Sequence, residues 1–423
     1  MKLKILHICA GVPISYQGGI TNYVRSLADI QVENGYEVYV FSDYEKSNET
    51  YKFKNINFYP KIKTNYIYKG IDKKNLTLLR KVLKDNNFDL VHIHMALNLD
   101  FNFYKELQNV KYVVSLHDYF FICPRIKMIP KSNIRTKNDP YCKSVNLEKC
   151  SICVGKLESN IYYQILNKAY KKISKKSLPS PNIKSNFAKE RFSNYKLFLE
   201  SAVCLYPVSK KVEQIYRESG ISNVYKMLHI GNNSAYEFIN NINLNNENKQ
   251  KINVAMIGTL TFEKGASILN FLIKNNENPN INFQFYGVAQ DYWLSSLTSI
   301  GLQYRGKYNQ SELKNIMDKI DLGLVLPVWE DNAPQVVMEF LNFRIPIIAT
   351  KMGGITDFLN EKNSILFDPY DESDILRVSR ILNTITIRDI FKMKQYTYKT
   401  KTPEEHFNDL DIHLKNSIFN NEK

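Results

Sequence analysis

Short apolar runs of strand length alternate along this chain with amphipathic stretches of helical spacing. Leu3 to Cys9 reads as a strand, and Ile20, Tyr23, Val24, Leu27 and Ala28 mark one face of a following helix. Glu37 to Phe41, Leu90 to His94 and Tyr112 to Leu116 are further β-rich runs. After a lysine- and tyrosine-rich stretch from Val154 to Leu199, Val203 to Val208 resumes the pattern. A second series opens at Ile252 to Ile257, behind the polar stretch Asn240 to Gln250, which reads as a linker. It continues through Asn282 to Gly287, Leu322 to Val328 and Ile345 to Thr350. Repeated strand and helix predict parallel sheets covered on both faces, so the expectation is α/β with two doubly wound domains and ligands at the carboxyl ends of the strands.

The length of 423 residues favours two cores over one, and 44% hydrophobic content is enough to fill both. No apolar run of eighteen residues is free of charges, so no membrane-spanning helix is expected. The opening Met1-Lys-Leu-Lys before Ile5 imitates a short leader, but Gly18-Gly19 and a helical pattern follow where a cleavage site would need small residues, so a first strand and a cytoplasmic location are the expectation. The net charge of +15 is unevenly spread. Residues 51–200 hold 29 Lys+Arg against 11 Asp+Glu, a local +18 that leaves −3 for the rest. Such a segment suits anionic lipid headgroups, nucleic acid or a polyanionic substrate, or is a solvated lysine-rich surface.

The densest candidate chemistry is Pro327-Val-Trp-Glu-Asp-Asn-Ala-Pro-Gln-Val-Val-Met-Glu339-Phe340. Pro334 suits a first helical position, and Val336, Val337, Phe340 and Leu341 share one helix face. Glu330 and Asp331 then precede a helix start that can hold an anion, while carboxylates accept hydrogen bonds from sugar hydroxyls. The same run also reads as an acidic cap on an ordinary helix. Gly258-Thr-Leu-Thr-Phe-Glu-Lys264-Gly265 is a strand-to-helix turn whose ammonium can meet a phosphate. Gly18-Gly19 lets a ligand approach the backbone closely, but it lacks the spaced glycines of a dinucleotide site. His117 ends a strand at a carboxyl edge, whereas His92 and His94 lie inside one and read as structural. Cys123, Cys142, Cys150 and Cys153 suit a tetrahedral structural zinc, with reduced thiols and disulfides as the competing readings. Asp409-Leu-Asp411 sits in a helical stretch away from any strand end and carries no metal expectation.

Taken in order, these motifs resemble the family-4 retaining glycosyltransferases of the GT-B fold, from Lys4 to about Asp374. The resemblance rests on Gly18-Gly19-Ile20, Leu116-His117-Asp118, Val208-Ser209, His229-Ile-Gly-Asn232, Glu263-Lys264-Gly265, the acidic loop and Lys351-Met-Gly353-Gly354-Ile355. It implies two Rossmann-like domains facing a central cleft. Residues 1–205 would bind the acceptor and carry the basic, cysteine-containing insertion, 206–385 would bind the nucleotide sugar, and 386–423 would be a helical segment packing back toward the first domain. Gly18, Gly19, Gly258, Thr259, Lys264, Tyr308, Asn332, Ala333, Gln335, Val336 and Glu339 would hold the donor.

The family spaces its two acidic residues with seven between them, the first on the sugar and the second on the ribose, so counting back from Glu339 reaches Asp331. Glu330 is the neighbouring alternative. Where the family places an arginine on the diphosphate this chain has Thr259, so Lys264 acts alone or with Arg305 or Lys351. The resemblance further implies metal-independent hexosyl transfer with His117 orienting the sugar or its leaving group. A UDP- or GDP-sugar would be the donor and a saccharide, expected to be lipid-linked, the acceptor. The protein would work at the inner face of the plasma membrane in surface polysaccharide synthesis. A soluble or protein acceptor is the nearest alternative, and a nucleic-acid-binding module a remote one that leaves the acidic loop and Lys264 unexplained; no nucleic-acid partner is expected.

Overall fold

The computed structural model describes residues 3–12, 18–43, 51–57, 73–97, 99, 101–130, 135, 140–155, 186–238 and 250–416. The chain divides into two compact units, 1–207 with 212–226, and 208–211 with 227–423.

The first unit carries a six-stranded parallel sheet of β1 (Lys4–Gly11), β2 (Glu37–Asp43), β3 (Lys54–Asn57), β4 (Leu90–Ile93), β5 (Tyr112–Leu116) and β6 (Cys204–Pro207), in the spatial order β3-β2-β1-β4-β5-β6. Strands β1, β4, β5 and β6 are almost wholly buried, as sheets covered on both faces require. Helix α1 (Gly19–Glu33) buries Val24, Leu27, Ala28, Ile30 and Gln31, the expected face extended by one turn. Its other described α-helices are α2 (Lys73–Asp85), α3 (Leu147–Gly155), α4 (Phe187–Glu200) and α5 (Lys210–Glu218), the first two residues of α5 falling in the second unit.

The second unit repeats the plan with β7 (Ile252–Leu260), β8 (Ile281–Ala289), β9 (Gln303–Tyr304), β10 (Leu322–Val325), β11 (Ile347–Thr350) and β12 (Ser364–Phe367), in the order β12-β11-β10-β7-β8-β9. Counted from its own first strand, that is the same 3-2-1-4-5-6 arrangement read from the other edge. In each sheet the order reverses beside the first strand, between β1 and β4 and between β7 and β10, and such a switch point opens a crevice at the strands' carboxyl ends. The strands β3, β9 and β12 were not expected. All three are edge strands of four residues or fewer, too short to stand out as a run of strand length.

The expected boundary between 205 and 206 falls too early. β6 pairs along its length with β5, and Leu205 exchanges backbone hydrogen bonds with Val224 and Lys226, which ties residues up to 226 to the first sheet. Residues 386–416 belong to the second unit rather than forming a separate segment. Within it, α12 (Pro403–Leu414) bonds back through His406 Nδ1 to the His229 carbonyl at 2.9 Å, and Arg344 reaches the Thr397 carbonyl at 3.0 Å. Helices α6 (Ala266–Lys274), α7 (Asp291–Thr298), α8 (Leu313–Met317), α9 (Gln335–Asn342), α10 (Glu372–Thr384) and α11 (Ile387–Lys394) precede it. Among the described residues no helix is long and apolar enough to cross a membrane.

Candidate functional site

The second unit gathers its chemistry at the switch point between β7 and β10. β10 ends at Val325, earlier than the apolar run to Val328 implies. Pro327 has no N–H to give a ladder, and the Val328 N–H turns to the Glu263 carbonyl at 3.0 Å. That bond locks the acidic loop to the turn after β7. Gly265 caps α6 with φ +91°, and a Cβ there would meet the Leu326 carbonyl oxygen at 1.9 Å, so only glycine lets the two loops close.

The consequence is a short ion pair. Lys264 Nζ donates to Asp331 Oδ2 at 2.5 Å and lies 5.6 Å from the centre of the Trp329 ring. A half-exposed ammonium is thus held over a buried carboxylate and an aromatic face, which together keep one cation at the loop mouth.

Glu330 and Asp331, alternatives in sequence, have different surroundings. Glu330 Oε2 accepts the Gly353 N–H at 2.5 Å, and Lys211 Nζ stands 3.8 Å from its other oxygen. Burial raises its pKa, with Lys211 and the Gly353 N–H pulling the other way. Gly353 adopts φ +62° directly beneath the loop, where a Cβ would meet the Asp331 carbonyl oxygen at 1.8 Å. Glu330 therefore fastens the Gly353-Gly354 turn, while Asp331 faces Lys264.

Asn332 follows with a buried Oδ1 that has no hydrogen-bond partner among the described residues. An orphaned acceptor of that kind costs about 1–3 kcal/mol, and a hydroxyl donor would satisfy it.

Pro334 is the N-cap of α9 rather than its first helical residue, and Gln335 starts the helix. Gln335 Oε1 accepts from Asn232 Nδ2 at 2.6 Å, which joins the His229-Ile-Gly-Asn232 segment to the helix start. The buried face is Val337, Met338, Phe340 and Leu341, with Val336 and Ala333 only partly covered. Phe340 seats against Gly323 of β10, where any side chain would collide with its ring.

One turn in, Glu339 lies in surroundings that strip water from its carboxyl and push its pKa up to about 7, with desolvation as the cause. Tyr308 is close enough for the charge of Glu339 to add to the burial that raises its phenol. Gly258 pairs with Gly287 across β7 and β8, and Thr259 is exposed at the end of β7. Neither alternative cation joins Lys264 by a described bond. Arg305 donates to Gln303, and the charge of Lys351 acts on Asp374. Lys211, beside Glu330, is the cation that sequence reading passed over, although it lies two residues after the quoted Val208-Ser209.

In the first unit, Gly18 and Gly19 are exposed at the start of α1, and a Cβ on Gly18 would meet nothing closer than Thr21 Oγ1 at 3.9 Å. His117 is buried at the carboxyl edge of β5, 4.7 Å from Tyr23 ring to ring. His94 lies one residue beyond the end of β4, and its Nδ1 lies 3.1 Å from His117 Nε2. Asp118 accepts the Phe120 N–H at 2.8 Å, and burial pushes its pKa up to about 7.

Of the four cysteines proposed as a tetrahedral set, Cys123, Cys150 and Cys153 lie close enough for the charge of one thiolate to disfavour another, but their sulfurs do not come within 4.8 Å of one another as a group of three or more. Among the described residues only His7, His92 and His94 bring three potential ligand atoms within 4.8 Å of one another. Cys123 lies in the turn after β5, Cys150 and Cys153 ride on α3, and burial keeps Cys123 and Cys150 toward the protonated thiol. Much of the basic segment, including 58–72, 131–134, 136–139 and 156–185, lies outside the described residues.

Comparison with known proteins follows the same division. Residues 17–154 match the family model described as Glycosyltransferase Family 4, and residues 237–396 match Glycosyl transferases group 1. A putative teichuronic acid biosynthesis glycosyltransferase, TuaC of Bacillus subtilis (strain 168), is 26% identical over 197 residues, 44% of this chain and 49% of that one, so the match spans about half of its length. Sucrose-phosphate synthase from Thermosynechococcus elongatus superposes with a TM-score of 0.64 at 15% identity, covering 98% of each chain. WaaG, a glycosyltransferase involved in lipopolysaccharide biosynthesis, gives 0.62 at 13% identity over 96% of this chain and 99% of its own. Anabaena HepE, crystallised with UDP and glucose, gives 0.61 at 12% identity over 98% of this chain and 100% of its own. With both family models falling in order on two parallel-sheet units of one strand plan, the chain belongs to the family-4 type of GT-B glycosyltransferases.

Proposed function

We propose that this protein is a retaining glycosyltransferase that moves a sugar from a UDP- or GDP-linked donor to a saccharide acceptor in surface polysaccharide synthesis. The observation that carries the reading is the meeting of Lys264 and Asp331 across the β7–β10 switch point, with Glu339 and Tyr308 at the helix start behind them. HepE was crystallised with UDP and glucose on the same fold, and the names of TuaC and WaaG place them in cell-surface polymer synthesis.

In this reading the donor diphosphate draws Lys264 away from Asp331, and the released carboxylate accepts hydroxyls of the sugar. Asn332 offers its orphaned oxygen to the same ring. Gly258, Thr259, Ala333, Gln335 and Val336 present backbone to the donor, and Glu339 takes the ribose hydroxyls beside Tyr308. The leaving group is a nucleoside diphosphate, so fixed donors that meet its growing charge supply the main catalytic term. Lys264 and the N–H groups at the start of α9 are those donors in the second unit, and in the first unit the Gly18-Gly19 backbone and His117 are proposed as substrate contacts on the resemblance to the family. None of these steps calls on a metal.

The acceptor is proposed to be lipid-linked and the protein to work at an anionic membrane face inside the cell, on the strength of the +18 charge in residues 51–200. A panel of nucleotide sugars screened by thermal shift tests the donor, because a ligand bound only by the folded state raises the melting temperature. The stabilising donor is then offered with saccharide acceptors, and the anomer of the product is read by NMR. A product of inverted configuration defeats retention, and stabilisation by no nucleotide sugar defeats the donor site.

A further inference from the structure

The glycine pair after β11 is bonded twice to the acidic loop. The Gly353 N–H donates to Glu330 Oε2 at 2.5 Å, and the Gly354 N–H donates to the Asp331 carbonyl at 2.7 Å. Two neighbouring N–H groups thus hold two neighbouring residues of the loop. The fit admits no side chain, because a Cβ on Gly353 would meet the Asp331 nitrogen at 2.5 Å and one on Gly354 the Asn332 carbonyl oxygen at 1.9 Å. This clasp sets the backbone of Asp331, whose carboxylate faces Lys264.

The first residues of α5, which belong to the same unit, press on the glycine pair from another side. Asp357 Oδ2, at the end of the turn that opens with Gly353, accepts the Lys210 N–H at 2.8 Å, and a Cβ on Gly354 would meet Ser209 Cβ at 2.7 Å. Lys211 therefore leaves a fixed backbone. Its Nζ stands 3.8 Å from Glu330 Oε1, an ion pair outside hydrogen-bond range. The Lys211 side chain is 32% exposed and that of Glu330 only 6%, and a buried carboxylate keeps its charge only when it is paired. Burial drives the Glu330 carboxyl toward protonation and Asp368 works in the same direction, while Lys211 and the Gly353 N–H oppose both. The other charges of this loop, Asp331 and its Lys264, are paired with each other.

We propose that Lys211 is a positioning residue: it keeps Glu330 ionised, and the ionised carboxylate holds the Gly353 turn that sets Asp331 opposite Lys264 at the donor site. The functional half of this inference rests on the donor reading of that site, and the first half does not. A charge-assisted hydrogen bond is roughly twice as strong as a neutral one, so protonation of Glu330 loosens the clasp. An opposite charge at such a distance lowers a carboxyl by about 1–3 pH units, and loss of Lys211 removes that restraint. The clasp is then complete at high pH and is lost, as pH falls, sooner than in the unaltered protein.

The full chain is labelled with 15N-glycine, and the Gly353 amide proton is followed over about pH 5 to 9. Its inflection reports Glu330, and Glu330→Gln is expected to abolish it. In Lys211→Met the inflection is expected to move up by about one pH unit, and in Lys211→Arg to stay in place. An inflection that does not move in Lys211→Met overturns the proposal, whatever the protein's substrate.

Turnover is measured at saturating nucleotide sugar, so that the ionisation of Glu339 does not enter through affinity. Lys211→Met is expected to lower kcat about three- to fivefold near pH 6 and by less than about twofold near pH 8.5, with Lys211→Arg restoring the profile. Adding Lys211→Met to Glu330→Gln is expected to cost nothing more. A loss of equal size at every pH, or the same further loss on top of Glu330→Gln, assigns Lys211 to direct substrate contact or packing and overturns the proposal. Absence of turnover by the unaltered protein with every nucleotide sugar removes the donor reading and with it the functional half, while a moved Gly353 inflection still upholds the first.

Discussion

The two units share one strand order and put different chemistry at the same place. At the β7–β10 switch point the second unit sets charges, with Lys264 on Asp331, Lys211 by Glu330, and Glu339 one helical turn in. Around β1, β4 and β5 the first unit sets imidazoles in a buried line. Topology thus fixes where a site can be, and the loop residues decide what it binds. A charged, partly open crevice suits a phosphate that must enter and leave. A line of buried rings suits the recognition of hydroxyls, where direction matters more than charge.

The largest effect should come from breaking the charged side. Lys264→Ala and Glu339→Ala are each expected to lower turnover about 10²-fold or more, with the chain still folded by circular dichroism. Near-normal turnover of either purified variant would remove that residue from the donor site. A sharper contrast lies between adjacent carboxylates. Asp331→Asn should cost activity on a similar scale with little change in melting temperature, because Asp331 faces Lys264. Glu330→Gln should instead lower the melting temperature while kcat changes by less than about tenfold, because Glu330 fastens the Gly353 turn. If the two outcomes exchange places, the sugar ligand is Glu330.

A milder effect follows from Glu339. Its pKa is raised from the ordinary 4.5 to about 7, so its contribution to stability is complete below about 4.5 and is lost as pH rises through about 7. The melting temperature of the unliganded protein should carry that falling component across the window. A ribose that donates hydroxyls prefers the ionised form, so nucleotide affinity should rise over the same interval. Glu339→Gln should flatten both curves, and an affinity that falls as pH rises would rule out Glu339 as the ribose acceptor. The smallest effect per residue is electrostatic. Each lysine near an anionic bilayer contributes about 1 kcal/mol, so vesicles rich in anionic lipid should float the protein and neutral vesicles should not. Equal partitioning would sink the membrane proposal.

Much of the second unit's site could be read from residues alone. Lys264, Asp331, Glu330 and Glu339 stand in short segments whose strand, turn and helix signals are local. The preference for Asp331 over its neighbour rested on spacing, and the structure supplies the physical difference between them. The early end of β10 was not legible, because Leu326 and Val328 are as apolar as a strand and leave it only to close on Gly265 and Glu263. The buried face of α9 was misjudged at Val336, since helical spacing does not say which edge of an apolar stripe meets the sheet. Close cysteine spacing suggested a zinc site, but spacing cannot show whether sulfurs converge.

By itself the sequence determined the alternation of strands and helices, hence two parallel sheets, and it placed the charged motifs at strand ends. Those properties follow from period, turn chemistry and burial, which neighbouring residues settle among themselves. Only the tertiary structure decided which distant groups meet. Lys264 reaches Asp331 across 67 positions, and His7 reaches His94 across 87, because parallel strands bring remote carboxyl ends side by side. No local pattern encodes those contacts.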